Sequence, residues 1–258
     1  MNTSFNPCII IPVYNHEHGL TLTLDQICEK QIPIILVNDG SNKTCRSVME
    51  TLTRQNPLIT RLIHHPHNLG KGGALKTGLQ AAYEMGFSHA LQVDADGQHN
   101  TDDIQHFIHL AQKHPNAIIC GCPLYDESVP KHRFYARYLT HIWIWINCLS
   151  FTIKDSMCGF RCYPLKSIVQ LIHSEPTGNR MEFDSEIMVR WVWQAGQVIN
   201  LQTKVSYPID GVSHFALWRD NLLISKMHTR LFFGMLWRLP KLLLLKSSLA
   251  KTRKVYLS

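Results

Sequence analysis

A chain of 258 residues with 45% apolar residues is long enough for one large globular domain and too short for two comfortable ones. Its formal net charge of +7 is concentrated at one end: residues 221–258 hold eight of the 26 Lys and Arg and no Asp or Glu, which leaves 18 basic against 19 acidic residues in the rest. A near-neutral body excludes a nucleic-acid binder, which would carry its cations on the folded domain, whereas a basic end rich in Leu, Phe and Trp suits an anionic membrane surface.

Short β-branched runs alternate with amphipathic segments through the first half, the signature of βαβ units around buried parallel strands and hence of an α/β fold. Strands are expected at 8–13, 34–38, 60–64, 90–93 and 117–121. Leu75, Leu79 and Ala82 share one helical face, as do Ile104, Phe107, Ile108 and Ala111, and both faces are expected to pack on the sheet. No repeat or low-complexity tract divides the chain. The composition shift is therefore the one expected boundary, between a domain at 1–220 and a basic amphipathic, membrane-associating helical tail at 221–258.

The eight cysteines are scattered without the spacing of a zinc knuckle and read as reduced core thiols. The start, MNTSFNP, lacks the positive charge and apolar run of a secretory signal. The most apolar stretches, 138–153 and 231–245, fall short of the roughly 18 residues of a membrane span and are broken by His141 and Asn147, or by Arg238, Pro240 and Lys241. Together these features predict a cytoplasmic protein, peripheral on the inner face of the cell membrane.

Four segments carry chemistry. In Ile9-Ile10-Ile11-Pro12-Val13-Tyr14-Asn15 a buried strand runs into a polar turn, and Val37-Asn38-Asp39-Gly40-Ser41 repeats the design, both on the ligand-binding edge of an open sheet. Asp39 suits hydrogen bonds from a nucleobase or ribose, or a simple capping turn with Ser41. Asn68-Leu69-Gly70-Lys71-Gly72-Gly73-Ala74 is a glycine-rich loop feeding a helix, which lets backbone N–H groups and a Lys approach phosphate without the Walker spacing. Leu91-Gln92-Val93-Asp94-Ala95-Asp96-Gly97 ends an apolar strand in two carboxylates two positions apart. Alternation along an extended chain would aim both at one side and make a site for a hard divalent cation; the other reading is a solvated Asp-rich turn. A cation there would neutralise charge on a departing nucleoside diphosphate.

In this order, and with Ser156-Met157-Cys158-Gly159-Phe160-Arg161 further on, these segments resemble family 2 glycosyltransferases of the GT-A fold, in the branch like dolichol-phosphate mannosyltransferase. The resemblance runs from Ile9 to about Tyr163 and implies a mixed, mainly parallel sheet flanked by helices. It implies that Asp94, Asp96 and Gln98 hold Mg²⁺ or Mn²⁺. Pro12, Tyr14, Asn15 and Glu17, with Asp39 and Gly40, would hold the nucleoside of a UDP- or GDP-sugar, and Lys71, Gly72, Asp94 and Ala95 complete the donor set, with the sugar diphosphate across the Asp96 loop.

Arg133 and Arg137, one helical turn apart, look like the pair that meets a lipid phosphate in that branch; the other reading is an exposed helix face. The chain departs from the branch at Gly121-Cys122-Pro123-Leu124-Tyr125, where an Arg is usual. Glu182, Asp184 and Glu186 open a helix, as helix electrostatics favours. The spacing from Asp184 to Arg190 also looks like the family's acidic segment, in which the matching Asp is the base toward a sugar hydroxyl; Asp184 and Asp96 are thus the catalytic candidates. An alcohol acceptor needs such a base, a phosphate acceptor does not. His214 either touches donor or acceptor, by resemblance to bacterial members, or is structural. The expected activity is inverting sugar transfer to a lipid or lipid-linked acceptor. A sugar-phosphate nucleotidyltransferase and a silent nucleotide-sugar-binding scaffold are the rivals.

Overall fold

Each β-branched run bounded by turn residues forms its strand. The order is β1 (Pro7–Val13), α1 (Glu17–Cys28), β2 (Ile34–Asn38), α2 (Lys43–Gln55), β3 (Ile59–His64), α3 (Lys71–Glu84), β4 (His89–Gln92), α4 (Ile104–Lys113) and β5 (Ala117–Leu124). The second half adds α5 (Lys131–Cys148), β6 (Arg161–Pro164), α6 (Leu165–Ser174), α7 (Phe183–Trp193), β7 (Gln197–Lys204) and α8 (Leu217–Val255). The computed structural model describes residues 4–124, 131–205 and 216–255, with side chains for all but 131–136, 217 and 246–255.

The seven strands form one sheet in the order β3-β2-β1-β4-β6-β5-β7. All neighbours pair in parallel except β6, which runs antiparallel to both β4 and β5. This is the mixed, mainly parallel sheet expected. Strands β6 and β7 were not foreseen: β6 is four residues ending in Pro164 and starting with an Arg, and β7 mixes polar and apolar residues at the sheet edge.

The sheet is covered on both faces. On one, Leu75, Leu79, Ile144, Ile168, Ile187 and Leu231 from α3, α5, α6, α7 and α8 form a continuous core. On the other, α1, α2 and α4 bury Leu20, Leu24, Met49, Ile104 and Phe107. The two foreseen helical faces pack as expected, with Ile108 half-buried at the margin. Gly78 lets α3 sit close on β1, since a Cβ there would lie 2.5 Å from the Ile10 side chain. All eight cysteines are free thiols.

The boundary expected at 220/221 falls inside α8, which starts at Leu217 and runs 39 residues through Pro240. Asp220 in its first turn accepts a hydrogen bond from the Ala216 N–H at 2.7 Å, where an acidic group also suits the helix dipole. Met227, Leu231, Met235 and Leu242 are buried in the core, each contributing roughly 2 kcal/mol. The cations of this segment are not all unopposed. Arg230 pairs with Glu186 at 2.7 Å, and Arg238 with Glu175 at 3.2 Å while stacking 4.7 Å from the Trp193 ring.

His228 of α8 is buried beside Asn147 and Trp143, and burial pushes its imidazole down from 6.5 to about 4. Between those two values the unfolded chain takes a proton that the folded chain refuses, so stability falls as pH drops from 6.5 toward 4. The loss is expected to reach about 3 kcal/mol. Urea unfolding at pH 7 and pH 4.5 checks it: His228→Gln should flatten the pH slope, and an unchanged slope would remove His228 as its source.

Candidate functional site

Chain direction places the crevice. From β1 the strand order proceeds to β2 and β3 on one side and to β4 on the other, so the carboxyl ends of β1 and β4 flank a topological switch point, where open α/β sheets bind ligands. Pro12 helps to open it. Ile9 N donates toward β2, to Pro33, and Ile10 accepts from Val93 on the β4 side, so strand alternation turns the missing N–H of Pro12 toward β4. The β1–β4 register ends at Ile10↔Gln92, two residues earlier.

The turns after β1 and β2 are laced together. Asn15, at φ 52°, donates its backbone N–H to Ser41 Oγ and accepts the Asn42 N–H on its Oδ1. Asn38 Oδ1 caps the Ser41 N–H, and Gly40, at φ 69°, leaves no room for a Cβ beside His67. Asp39 is buried, not open to the crevice: Oδ1 pairs with His65 Nδ1 and accepts from Leu69 N, and Oδ2 accepts from Gly70 N, all at 2.8 Å. The expected nucleoside ligand thus anchors the loop that leads into α3. Glu17 begins α1, where Gly19 lets the backbone at Ala95 and Asp96 approach closely.

Lys71, the first residue of α3, draws the acidic segments together. Its Nζ lies 2.8 Å from Asp94 Oδ2 and 3.0 Å from Asp184 Oδ2. Burial alone would lower the Lys71 pKa; the Asp184 and Asp94 carboxylates more than offset it and hold the ammonium above its ordinary value. Burial would likewise raise Asp94, but Lys71 and His99 hold its carboxyl well below the usual carboxylate range. Gln92 donates through Nε2 to Asp94 Oδ1 at 3.2 Å and accepts the Tyr163 hydroxyl on Oε1, fixing the carboxylate from beneath. Gly159 leaves the space: a Cβ would stand 2.5 Å from Asp94 Oδ2 and 2.7 Å from Lys71 Nζ. His99, stacked on Phe160 with Nε2 3.4 Å from Asp94 Oδ2, is a site residue that sequence reasoning missed although it closes the same motif.

Asp94 and Asp96 are not aligned by strand alternation. Pairing stops at Gln92, and residues 95–97 form a turn in which Asp96 Oδ1 accepts the Gln98 N–H and Gly97 sits at φ 71°. Among the described residues no group of three His, Cys, Asp or Glu forms a closed metal cage. Asp96 keeps its second carboxylate oxygen without a hydrogen bond from the described residues. That donor set fits Mg²⁺ or Mn²⁺, hard ions held by one or two carboxylates that complete their shell with water and phosphate oxygens.

Asp184, in the first turn of α7, is buried, and its Oδ1 has no hydrogen-bond partner among the described residues. The fully buried Arg161 of β6 holds this turn from below, donating to the carbonyls of Asp184 and Ser156. Gly72 is required where α7 meets α3, because a Cβ would run into Phe183. Arg137 is not a free cation: its guanidinium grips the buried Asp155 at 2.8 Å through both Nε and Nη2. Arg133 lies on α5 with its side chain outside the described set, and His214 lies outside the described residues. A cleft of about 390 Å³ lined by Arg61, Lys76, Gln80 and His173 opens on α3 and contains none of these groups.

The family description "Glycosyl transferase family 2" matches residues 8–169, more than half of the chain. The chain belongs to glycosyl transferase family 2. A dolichyl-phosphate beta-glucosyltransferase of Dictyostelium discoideum is 30% identical over 204 residues, 70% of this chain and 60% of that protein. A UDP-N-acetylglucosamine–dolichyl-phosphate N-acetylglucosaminyltransferase of Methanococcus voltae is 28% identical over 196 residues, 70% of this chain and 78% of the relative. The chain thus spans about 60% of the length of the first of these relatives. Among solved structures, glucosyl-3-phosphoglycerate synthase from Mycobacterium tuberculosis in complex with Mn²⁺ and UDP-glucose superposes with a TM-score of 0.63 at 12% identity, over 90% of this chain and 79% of that one. The likeness shows the fold, which is GT-A.

For this family 2 member, Gly159→Ala drives a methyl between Asp94 and Lys71. Misplacing the pair is expected to cut any turnover at this crevice at least about a hundred-fold. Initial rates beside circular dichroism check this, and wild-type turnover would show that the pairing is dispensable.

Proposed function

We propose that the chain moves a sugar from a UDP- or GDP-sugar to a lipid or lipid-linked acceptor at a membrane surface, inverting the anomeric carbon. One observation carries the reading: a single ammonium, Lys71 Nζ, lies within 3.0 Å of both the metal-site carboxylate Asp94 and the base candidate Asp184. Donor diphosphate and acceptor therefore meet in one crevice. Lys71 supplies positive charge where the leaving diphosphate develops negative charge. Held by Asp94 and Asp96, with Gln98 beside them, Mg²⁺ or Mn²⁺ would add Lewis-acid charge there. Asp184 Oδ1, without a hydrogen-bond partner among the described residues, would accept the proton of an acceptor hydroxyl.

The relatives named for dolichyl phosphate support a second reading of the acceptor, a polyprenyl phosphate, which arrives ionised and needs no base. Asp184→Asn decides between them. With a hydroxyl acceptor, turnover under donor saturation should fall about 10²- to 10⁴-fold; near-normal turnover would transfer the acceptor assignment to phosphate. The donor and metal are tested by thermal stabilisation with UDP- and GDP-sugars, with and without Mn²⁺. No metal-dependent shift with any of them would point to the scaffold rival.

The outer faces of α5 and α8 support the membrane surface. Tyr138, Leu139 and Trp143 are exposed on α5, and Phe233, Trp237 and Leu244 on α8, where exposed Lys226 and Lys241 share their stripe at helical spacing. No helix among the described residues is long and apolar enough to cross a membrane. Lying on lipid, these side chains would bury apolar area beside cations that favour anionic headgroups. Phe233→Ser with Trp237→Ser is expected to release the protein from anionic vesicles in co-sedimentation at unchanged thermal stability; retained binding would overturn the assignment. Truncation after Arg230 is a poor substitute, since it strips Leu231, Met235 and Leu242 from the core.

A further inference from the structure

Residues 176–182, between α6 and α7, lie as a strap across the glycine-rich loop. The Asn179 carbonyl accepts the Gly73 N–H at 2.8 Å, and Arg180 donates to Asn68 Oδ1 at 3.3 Å. Contact is so close that a Cβ on Gly70 would stand 2.5 Å from the Asn179 carbonyl oxygen. Lys76, one turn into α3, ties the strap from the other side through the Thr177 carbonyl and Asn179 Oδ1. The strap runs directly into the turn that carries Asp184.

What holds the strap at its start is Glu186. This fully buried carboxylate accepts the Gly178 N–H on Oε2 at 2.9 Å, and Arg190 of its own helix grips Oε1 at 2.7 Å. Its remaining partner comes from another element: Arg230 of α8 reaches both carboxylate oxygens at 2.7 Å. The Arg230 side chain is half exposed, on the same helical stripe as Phe233 and Trp237. Arg238, two turns on, attaches instead to Glu175, the residue before the strap and a second partner of Arg190, and to the Trp193 ring, with no hydrogen bond to residues 176–182 among the described residues.

We propose that Arg230 is a positioning residue through which the C-terminal helix, by way of Glu186 and the Gly178 amide, presses residues 176–182 onto the phosphate loop and so sets donor binding. The donor half of this proposal rests on the reading of residues 68–74 as the diphosphate loop. With Arg190 still in place, Arg230→Gln leaves Glu186 one cation, so the fold survives while the joint to α8 opens. Both partners of an ion pair contribute most where the carboxylate is desolvated, as Glu186 is.

The test uses the full chain and three variants, Arg230→Gln, Arg230→Lys and Arg238→Gln. Amide hydrogen exchange without ligand comes first. Arg230→Gln should speed exchange at Gly73 and Gly178 by about five-fold or more, Arg230→Lys should restore much of the protection, and Arg238→Gln should leave both amides unchanged. Titration with UDP and GDP comes second: Arg230→Gln should weaken the nucleotide that the wild type binds by about ten-fold, with kcat at saturating donor within about two-fold. Unchanged exchange in Arg230→Gln overturns the proposal, and so does equal loosening by Arg238→Gln, which would mean that α8 merely stabilises the fold. A wild type that binds neither nucleotide overturns the donor reading and the donor half with it, while exchange still decides whether α8 holds the strap.

Discussion

The site depends on one half-buried cation, Lys71, between the half-buried carboxylate of Asp94 and the buried carboxylate of Asp184. Two acids drawn together and out of water, Asp184 fully and Asp94 in part, repel each other and lose hydration that a cation between them must replace. The Lys71 ammonium offsets both. The carboxyl end of β4, the amino end of α3 and the amino end of α7 are thereby forced to converge, although 113 positions separate Lys71 from Asp184. The same arrangement gives the crevice its electrostatic character, because an anionic group arriving there finds a positive charge already fixed in place.

The supporting parts follow from that constraint. Gln92 and Tyr163 orient Asp94 from under the sheet, and Gly159 leaves the volume that the lysine needs. Antiparallel β6, inserted between β4 and β5, delivers Arg161 to the underside of the α7 turn, where it donates to the Asp184 and Ser156 carbonyls and ties that turn to the segment before β6. The two packed faces of the sheet keep all these ends at one rim.

Much of this was legible in the sequence. The first five strands and the apolar faces of α3 and α4 follow from periodicity, and the chemistry-bearing loops follow from glycines and carboxylates placed directly after strands. What was not legible depends on partners distant in sequence. Nothing near Arg137 announces that Asp155 neutralises it, nor does the Asp39 turn reveal that His65 and the loop amides at 69 and 70 use its carboxylate. The extended alternation assumed through Asp94 and Asp96 gives way to a turn because Gly97 adopts a left-handed backbone. Composition alone set the boundary at 220/221, whereas the burial of Met227, Leu231 and Met235 makes α8 part of the core and leaves only its outer stripe exposed.

Pro12 stands in an interior strand, a place prolines rarely occupy. Any other residue there would offer an amide hydrogen toward β4 and with it one more ladder hydrogen bond between β1 and β4. The groove is therefore written into the main chain and cannot zip itself shut between turnovers. A ligand entering it has no strands to prise apart, and the cost of preparing the binding surface was met once, during folding.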